Sequence, residues 1–464
     1  MENFKRMNNI VGWVVFAIAT LTYFLTLEPT ASWWDCGEYI ATAYKLQVGH
    51  PPGAPLFQLL GRFFSLFAFG NEANVAKMVN VMSALSSSFT ILFLFWSITM
   101  LARKLFVKAG KMTRSEGIMV LGAGAVGALA YAFSDSFWFS AVEGEVYAMS
   151  TMFTALVFWV ILRWERVAHE EHSDRWLLLI AFLVGLSIGV HLLNLLAIPA
   201  IALIYYFKRY KVNNKGIVAS VIISFLLIAF IMYGIIPMVV KLAGSFELFF
   251  VNTLGMPFNT GTVIYIILLV SLLVFGIWYT IKKNKPVWNN IVLSMVFILI
   301  GYSSFMVLVI RANANTPINE NSPDNAINLL SYLNREQYGN WPIFYGAYWD
   351  APLDANDPYS DGNPVYVRDD NKGKYIITDD KKDSEPNYDK RFKTLFPRMW
   401  YMPPESGRQS RTENAYKTWG NLSGNKIRVS MPDGSSEMRQ KPTFGENLTY
   451  FFRYQVGHMY MRYF

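Results

Sequence analysis

Carboxylates and histidines in this sequence stand in short polar segments between long apolar runs. Asp35 and Glu38 follow the paired Trp33 and Trp34, and His50 stands further along the same segment. Residues three apart share one face of a helix, so both carboxylates can face one ligand. A carboxylate in this position can take the proton from an attacking hydroxyl, and the indole rings can stack on a sugar or anchor the chain at the membrane interface.

More polar residues recur where later apolar runs begin or end. Taken singly, each is more often a solvated loop residue or a structural hydrogen-bonding group. Ionisable groups near a bilayer are costly, however, and several on one side of it usually mark a site. We therefore predict that they fold together with Asp35 and Glu38 into one cleft. This second set comprises Glu143, Glu145, His191, Asn194, Arg311, Asn313, Asn315, Asn319 and Glu320.

The composition is typical of a polytopic membrane protein. Of the 464 residues, 53% are hydrophobic and 16% are charged, whereas about a quarter of the residues in soluble domains are charged. The net charge of +8 does not indicate nucleic acid, because Lys and Arg lie in short loops between apolar runs. The single cysteine, Cys36, excludes an intrachain disulfide and a cysteine-based metal cluster.

Nine apolar runs approach the ~20 residues that a bilayer demands, which predicts an all-α membrane domain. The first run exceeds the ~7–15 apolar residues of a signal peptide, so we expect a retained helix. Residues 54–70 are apolar but contain Arg62, which favours an interfacial or re-entrant helix. The predicted spans are 10–27, 78–102, 117–133, 147–162, 176–190, 195–207, 216–240, 261–281 and 288–310.

The chain is predicted to have three parts. Residues 1–310 form the membrane domain, with a first outside loop at 28–77, and residues 311–446 form a mixed α+β region outside the cytoplasm. Residues 447–464 predict the start of a further membrane helix, and we expect the chain to be truncated there. Within the second part, Ser322 is predicted to cap a helix that ends at Gly339, and 365–368 with 374–378 predict a β-hairpin.

Four stretches carry a family resemblance. SWWDCGEYIATAYKLQVGHPPGAPLF, SAVEGEVYAMS, GVHLLNLL and RANANTPINENSPDNAINLLSYLNREQYG occur in this order. They resemble a membrane family of Bacteroidetes-type bacteria described as protein O-mannosyltransferase-like. That family is similar to the eukaryotic transmembrane O-mannosyltransferase that modifies plexin-type receptor domains.

The resemblance implies a GT-C glycosyltransferase fold with an acidic motif in the first outside loop. It implies a polyprenyl-phosphate-linked sugar donor, with mannose as one candidate, and Ser or Thr hydroxyls of exported proteins as acceptors. A divalent cation is a candidate cofactor. We expect a multi-pass protein of a bacterial inner membrane, with a cytoplasmic N-terminus and a periplasmic active face. The oligomeric state stays open.

The resemblance also implies roles for individual residues. Asp35 is the preferred base or acceptor-orienting acid, and Glu38 is its partner. Two residues separate these acids here, whereas such pairs are often adjacent or one residue apart, so the choice between them stays open. The resemblance further implies Glu143 and Glu145 as secondary acids, and His50, His191 and Arg311 at the donor phosphate. From the residues themselves, further candidates for binding substrate in the cleft are Trp34, Asn194, Asn315, Asn319 and Glu320.

A transporter or an envelope scaffold is the alternative interpretation. Such a protein would use the same acids for ions or contacts. Transporters more often place acids mid-span between broken helices, and the predicted spans lack a central Asp or Glu.

Overall fold

The computed structural model describes residues 3–107, 112–339, 341–403 and 406–462. Two compact units are present, Met1–Glu336 and Gln337–Phe464. The units therefore divide at 336/337, whereas the sequence-based boundary lies at 310/311. The first unit retains the segment after the last span because this segment pairs with the first loop.

The first unit is built from helices, as predicted. In the described part of the chain, eight helices are long and apolar enough to cross a membrane, which confirms an all-α polytopic domain. Two shorter apolar helices accompany them, Pro55–Ala68 and Arg175–Ile188. The eight candidate spans are Phe4–Leu25, Glu72–Phe106, Arg114–Ala132, Val146–Val167, Leu192–Arg209, Asn214–Thr253, Thr260–Lys282 and Pro286–Asn313.

The predicted span 176–190 is shorter than a full span. Its helix has 14 residues and ends at Ile188, because the chain turns at once. The amides of Gly189 and His191 donate to the carbonyls of Leu186 and Ser187. The polar His191 and Asn194 follow directly after this turn.

The α-helices of the first unit are numbered in chain order. They are α1 Phe4–Leu25, α2 Cys36–Lys45, α3 Pro55–Ser65, α4 Val75–Phe106, α5 Arg114–Ala132, α6 Asp135–Ala141, α7 Val146–Val167, α8 Arg175–Ile188, α9 Ile198–Arg209, α10 Asn214–Ala229, α11 Ile236–Leu248, α12 Thr260–Lys282, α13 Pro286–Tyr302, α14 Met306–Asn313 and α15 Ala326–Asn334.

Helix α4 lies at the centre of the first bundle and packs against α1, α5 and α7. The rings of Phe93 and Trp159 stand 5.4 Å apart between α4 and α7. At the end of the bundle that carries the first loop, the Tyr23 hydroxyl donates to the Ala132 carbonyl at 3.0 Å. The C-terminal ends of α1 and α5 therefore meet beside the start of α4. The first outside loop begins at this end of the bundle.

Helices α8 and α13 approach so closely that glycine is required at the crossing. A Cβ at Gly185 would overlap the backbone of Ile298, and one at Gly301 would overlap the backbone of Gly185 and Leu186. Small residues allow this kind of close helix contact in membranes, where dispersion forces drive packing.

The candidate span that begins with α10 extends further than the sequence indicated, to Thr253 instead of residue 240. Wider turns at Phe230–Ile235 and Phe249–Thr253 interrupt its regular winding. Its fully buried Glu247 accepts hydrogen bonds from the amides of Asn259, at 2.5 Å, and Thr262, at 3.0 Å. This carboxylate therefore satisfies the amide of the residue before α12 and one free amide in its first turn, so its role is structural.

The predicted helix from Ser322 to Gly339 is wrong at both ends. Helix α15 begins after Asn325, whose side chain accepts from the amides of Ile327 and Asn328. Ser322 has a φ of 38° and cannot serve as the extended cap residue. The helix ends at Arg335, which adopts the left-handed conformation.

The described residues of the second unit form small two-stranded sheets and two α-helices. The predicted β-hairpin is confirmed, because β3 and β4 pair antiparallel. Buried Tyr348, Met399, Tyr416 and Tyr450 form a local core. The strands are β1 Tyr345–Ala347, β2 Tyr359–Ser360, β3 Val365–Asp369, β4 Lys374–Asp379, β5 Glu385–Pro386, β6 Lys393–Leu395, β7 Lys426–Ser430 and β8 Ser436–Gln440, and the helices are α16 Ser406–Gly420 and α17 Phe444–Tyr450.

The last described segment is helical. Helix α17 continues as a wider helix, Phe451–Tyr460. This segment is not one of the eight candidate spans found in the described residues. The predicted further membrane helix at 447–464 stays a prediction.

Candidate active site

Helix α2 presents the two acids of the first loop. Asp35 is the residue immediately before the helix, and Glu38 lies in its first turn. The opposite face of α2 buries Cys36, Ile40 and Ala43. The Asp35 side chain therefore stays 59% exposed, while that of Glu38 is 26% exposed.

His50 lies between these two carboxylates. Its Nδ1 lies 3.0 Å from both oxygens of Glu38, and its backbone amide donates to Glu38 Oε1 at 2.6 Å. Its Nε2 lies 4.0 Å from Asp35 Oδ2. The three side chains form a row in which Glu38 orients the imidazole and His50 faces Asp35.

The row favours a charged histidine. The hydrogen bond that the His50 ring donates to Glu38 raises the pKa of His50 above 6.5, although partial burial opposes this. Burial also opposes ionisation of Glu38, but the hydrogen bonds from the His50 ring and amide outweigh it and lower the pKa of Glu38 overall. Near neutral pH the row therefore tends toward a carboxylate, an imidazolium and the exposed carboxyl group of Asp35.

The loop that carries His50 is held by a segment from the end of the membrane unit. The amide of Val48 donates to the Ile318 carbonyl at 3.0 Å, and the amide of Glu320 donates back to Val48 at 3.0 Å. The Tyr332 hydroxyl donates to the Gly49 carbonyl at 2.6 Å. Residues 318–332 thus fix the backbone on which His50 stands.

Arg311 belongs to the same support. Its Nε donates to the Leu46 carbonyl at 2.5 Å, and its Nη2 donates to the Lys45 carbonyl at 3.2 Å. These carbonyls end α2, so the guanidinium satisfies acceptors at the helix C-terminus. In this structure Arg311 therefore positions the loop.

Glu143 and Glu145 lie under the first turn of α2. Both are nearly buried, with 5% and 8% of their surface exposed. Burial raises the pKa of Glu145 to about 7, and the charges of Asp35 and Glu143 add to this shift. Burial also raises the pKa of Glu143, which adjoins the side chains of Ser32 and Cys36.

The charges of four acids and one histidine therefore interact with one another. These residues are Asp35, Glu38, Glu143, Glu145 and His50. Glu320 joins this group, because burial raises its pKa and the charge of Glu38 adds to the increase. Acidic neighbours also contribute to the pKa of the buried Cys36 thiol, which burial raises to about 12. The geometry thus brings together residues from three separate parts of the sequence.

His191 and Asn194 lie beside this cluster. The His191 ring stands 5.5 Å from that of Tyr147, and its Nδ1 accepts from the Leu193 amide. Burial lowers the pKa of His191, and the charge of Arg335 adds to this effect. Asn194 is fully buried and donates to the Ser187 hydroxyl at 2.9 Å. His191 therefore favours the neutral form and acts locally as a helix cap.

The remaining candidates divide into exposed and structural residues. Trp34 is 90% exposed beside Asp35 and has a φ of 62°. Asn315 is exposed, also with a positive φ. The Asn319 side chain donates to the Ala312 carbonyl and the Ser322 hydroxyl, each at 3.2 Å. It therefore shapes the supporting segment.

Two residues that hold the site in place, Asn80 and Tyr332, were not predicted from the sequence. Asn80 is fully buried on α4, and its amide donates to the carbonyls of Glu28 and Thr30. Tyr332 closes the His50 loop from α15. The only signal for Asn80 was a single polar residue near the start of an apolar run.

A metal site is not evident in the described part of the chain. No group of three or more His, Cys, Asp or Glu residues there is arranged to hold an ion. The predicted divalent cation is therefore not placed on particular residues.

Comparisons with known proteins match the region that contains this site. Residues 35–214 match the family model for the protein O-mannosyl-transferase TMEM260 N-terminal domain, which begins at Asp35. Over this region the chain is similar to the TMEM260-type protein O-mannosyl-transferases. The resemblance to O-mannosyltransferase-like proteins is thereby confirmed. The origin in Bacteroidetes-type bacteria stays a prediction.

Two curated O-mannosyl-transferases show the same relationship. Protein O-mannosyl-transferase tmem260 of Dictyostelium discoideum is 28% identical over 221 residues, which are 45% of this chain and 25% of that protein. Protein O-mannosyl-transferase TMEM260 of Mus musculus is 29% identical over 175 residues, 38% of this chain and 22% of that protein. The match thus spans about a quarter of the length of these relatives.

The second unit has a separate match. Residues 339–452 match a family of unknown function. No solved structure shows a significant match to the chain.

Proposed function

We propose that this chain is a membrane glycosyltransferase that modifies proteins. It transfers a sugar, with mannose as the first candidate, from a polyprenyl-phosphate-linked donor to Ser or Thr hydroxyls of exported proteins. One observation carries the proposal: an exposed carboxylate, Asp35, stands beside a histidine that a second carboxylate orients, at the start of the O-mannosyl-transferase match.

Asp35 is the better base of the two acids. Glu38 is engaged by the ring and amide of His50, whereas the Asp35 carboxylate accepts no hydrogen bond from the described residues and is 59% exposed. Asp35 takes the proton of the acceptor hydroxyl as that oxygen bonds to the anomeric carbon. The bond between this carbon and the phosphate oxygen breaks, and the lipid phosphate leaves with the electron pair.

His50 supplies positive charge close to this reaction. Its imidazolium is held by Glu38, so it can face both Asp35 and the departing phosphate without reorganising. Arg311 is less suited to the phosphate, because its guanidinium binds loop carbonyls. His191 is less suited because burial favours its neutral form.

Trp33 and Trp34 form the approach to Asp35. Their side chains are 78% and 90% exposed, on the two residues that precede the acid. We place this end of the bundle on the periplasmic side, where the indoles meet a lipid-linked sugar or an acceptor chain.

The test replaces the proposed catalytic base, Asp35, by asparagine, which has nearly the same size. In cells that produce Asp35→Asn at the normal level, glycosylation of exported proteins should fall by about 10²- to 10⁴-fold, the usual contribution of a general base. Mass spectrometry of envelope proteins measures this loss. Asp135→Asn is the matched control, since Asp135 is an exposed acid on α6 and should leave glycosylation unchanged.

Two results would contradict the proposal. Unchanged glycosylation with Asp35→Asn removes the assignment of the base. Solute transport by the protein in liposomes without any lipid-linked sugar supports a transporter instead.

Chelation of divalent cations in the glycosylation assay tests the predicted cation requirement.

A further inference from the structure

A cavity in the second unit gathers lysines from three elements. Its volume is about 530 Å³, within the ~300–1,000 Å³ of typical ligand pockets. Lys393 comes from β6, Lys426 from β7, and Lys441 follows β8. The other lining residues are Tyr348, Thr394, Asn425, Ile427, Pro442, Thr443 and Phe444.

Backbone pairing fixes where each of these lysines stands at the cavity. Lys426 stands opposite Gln440 in the β7–β8 pair, and the amide of Lys441 donates to the Asn425 carbonyl at 3.0 Å. Lys393 is fixed independently, opposite Ala347 in the β1–β6 pair. The three lysines thus line one cavity, and positive charges gathered there repel one another unless an anion compensates for them.

No carboxylate lines this cavity among the described residues, and none of the three lysines has an ion-pair partner there within 4.0 Å. The carboxylates nearby make their closest contacts elsewhere, although the charge of Lys441 also acts on Asp389. Asp389 pairs with Arg391 at 2.6 Å, Asp350 pairs with Arg439 at 3.0 Å, and Glu446 accepts from the amides of Ser423 and Thr443. The cavity therefore keeps a net positive charge.

Aromatic and hydroxyl groups complete the lining. Phe444 is 50% exposed at the cavity, and Tyr348 is 3% exposed within its wall. Thr394 and Thr443 add hydroxyls next to the lysines. Ammonium groups with hydroxyls suit a phosphate, and an aromatic face beside them suits the apolar side of a sugar ring.

We propose that this cavity binds the phosphomonoester of a sugar. A phosphomonoester carries a charge of about −1.5 to −2 at neutral pH, and three ammonium groups match it better than the single charge of a phosphodiester. This site lies within the second unit. It is independent of the glycosyl transfer proposed above.

Lysine footprinting on the purified full chain tests the proposal. Acetylation of each lysine is quantified by mass spectrometry with glucose 1-phosphate, with inorganic sulfate, with a sugar phosphodiester or with glucose. We expect glucose 1-phosphate to slow acetylation of Lys393, Lys426 and Lys441 together. Lys374 on β4 is the internal control and should react equally in every sample.

The variants separate binding from folding. Replacing all three lysines by Gln should weaken binding of glucose 1-phosphate by more than about tenfold, since the charge-assisted hydrogen bonds to the phosphate are lost. Replacing all three by Arg keeps the charge and should retain binding. Lys374→Gln should bind as the unchanged protein does.

Three outcomes would overturn the proposal. Equal protection by sulfate means a general anion site without sugar recognition. Equal protection by the phosphodiester or by glucose removes the phosphomonoester. Absence of protection by glucose 1-phosphate at millimolar concentration removes the site.

Discussion

At the scale of single residues, the acid–histidine row sets its own charge states. The pKa of Glu38 is lowered, so its contribution to stability is present above its ordinary value of 4.5 and is lost as the pH falls through the lowered value. The pKa of His50 is raised, so its contribution is present below 6.5 and is lost as the pH rises through the raised value. The ion pair is therefore fully formed between about pH 4.5 and 6.5.

Glu145 gives a prediction of the opposite sign. Its pKa is raised to about 7, so the folded state binds more protons than the unfolded chain, and stability falls as the pH rises from 4.5 through 7. Glu145→Gln removes this cost and should raise the free energy of unfolding at pH 8 by about 1–3 kcal/mol. Thermal unfolding in detergent at several pH values measures the change.

The gain with Glu145→Gln should disappear near pH 4, where the glutamate is protonated in both states. Asp135→Asn, at an exposed position, serves as the control and should show no such dependence. A gain that is the same at pH 4 and pH 8 would show that ionisation of Glu145 is not its cause.

At the scale of elements, the site depends on one loop that is held in place by residues distant in the sequence. The loop between α2 and α3 carries His50, and residues 311–332 hold it through Arg311, Ile318 and Tyr332. A methyl group at Gly53, whose φ is 73°, would lie 2.7 Å from the Tyr332 hydroxyl. The helix α15 and the loop therefore fit together closely, and small changes there should reach His50.

Tyr332→Phe tests this support. It removes the hydrogen bond to Gly49 and should lower stability by about 1 kcal/mol. Hydrogen exchange should rise in residues 46–54 and stay constant in α4. Tyr233→Phe, at an exposed position on another helix, is the control. Unchanged exchange in residues 46–54 would show that the loop holds its shape without this contact.

At the scale of the whole molecule, the open question is the sidedness of the bundle. Lys and Arg concentrate in the loops that share a side with the N-terminus, which predicts a cytoplasmic N-terminus. The opposite end of the bundle carries Asp35, His50, Glu143 and Glu145, so the proposed donor and acceptor meet there only if this orientation holds.

Cysteine labelling tests the orientation. In intact cells, a membrane-impermeant maleimide should label Asp135→Cys and leave Glu171→Cys unlabelled, since these exposed residues lie at opposite ends of the bundle. The native Cys36 should give no background, because it is fully buried and its thiol pKa is raised to about 12. Permeabilised cells should label both variants. Labelling of Glu171→Cys alone in intact cells would reverse the topology.

Much of the membrane architecture could be predicted from the sequence. Long apolar runs form helices because a bilayer leaves no other partner for backbone amides and carbonyls. The family resemblance and the acidic loop were also recognisable, since both reside in contiguous residues. Helix ends were less predictable: α15 begins at Asn325 because its side chain caps two amides, although Ser322 has the same local character.

The sequence by itself determined that this is a multi-pass helical protein with acids and histidines between its spans. Only the tertiary structure decided how each of them is used. Glu38 and His50 pair, Glu143 and Glu145 become buried, and Arg311 binds carbonyls of α2. The physical reason is that helix formation follows from local composition, whereas burial and hydrogen bonding of a polar group depend on which distant segments meet around it.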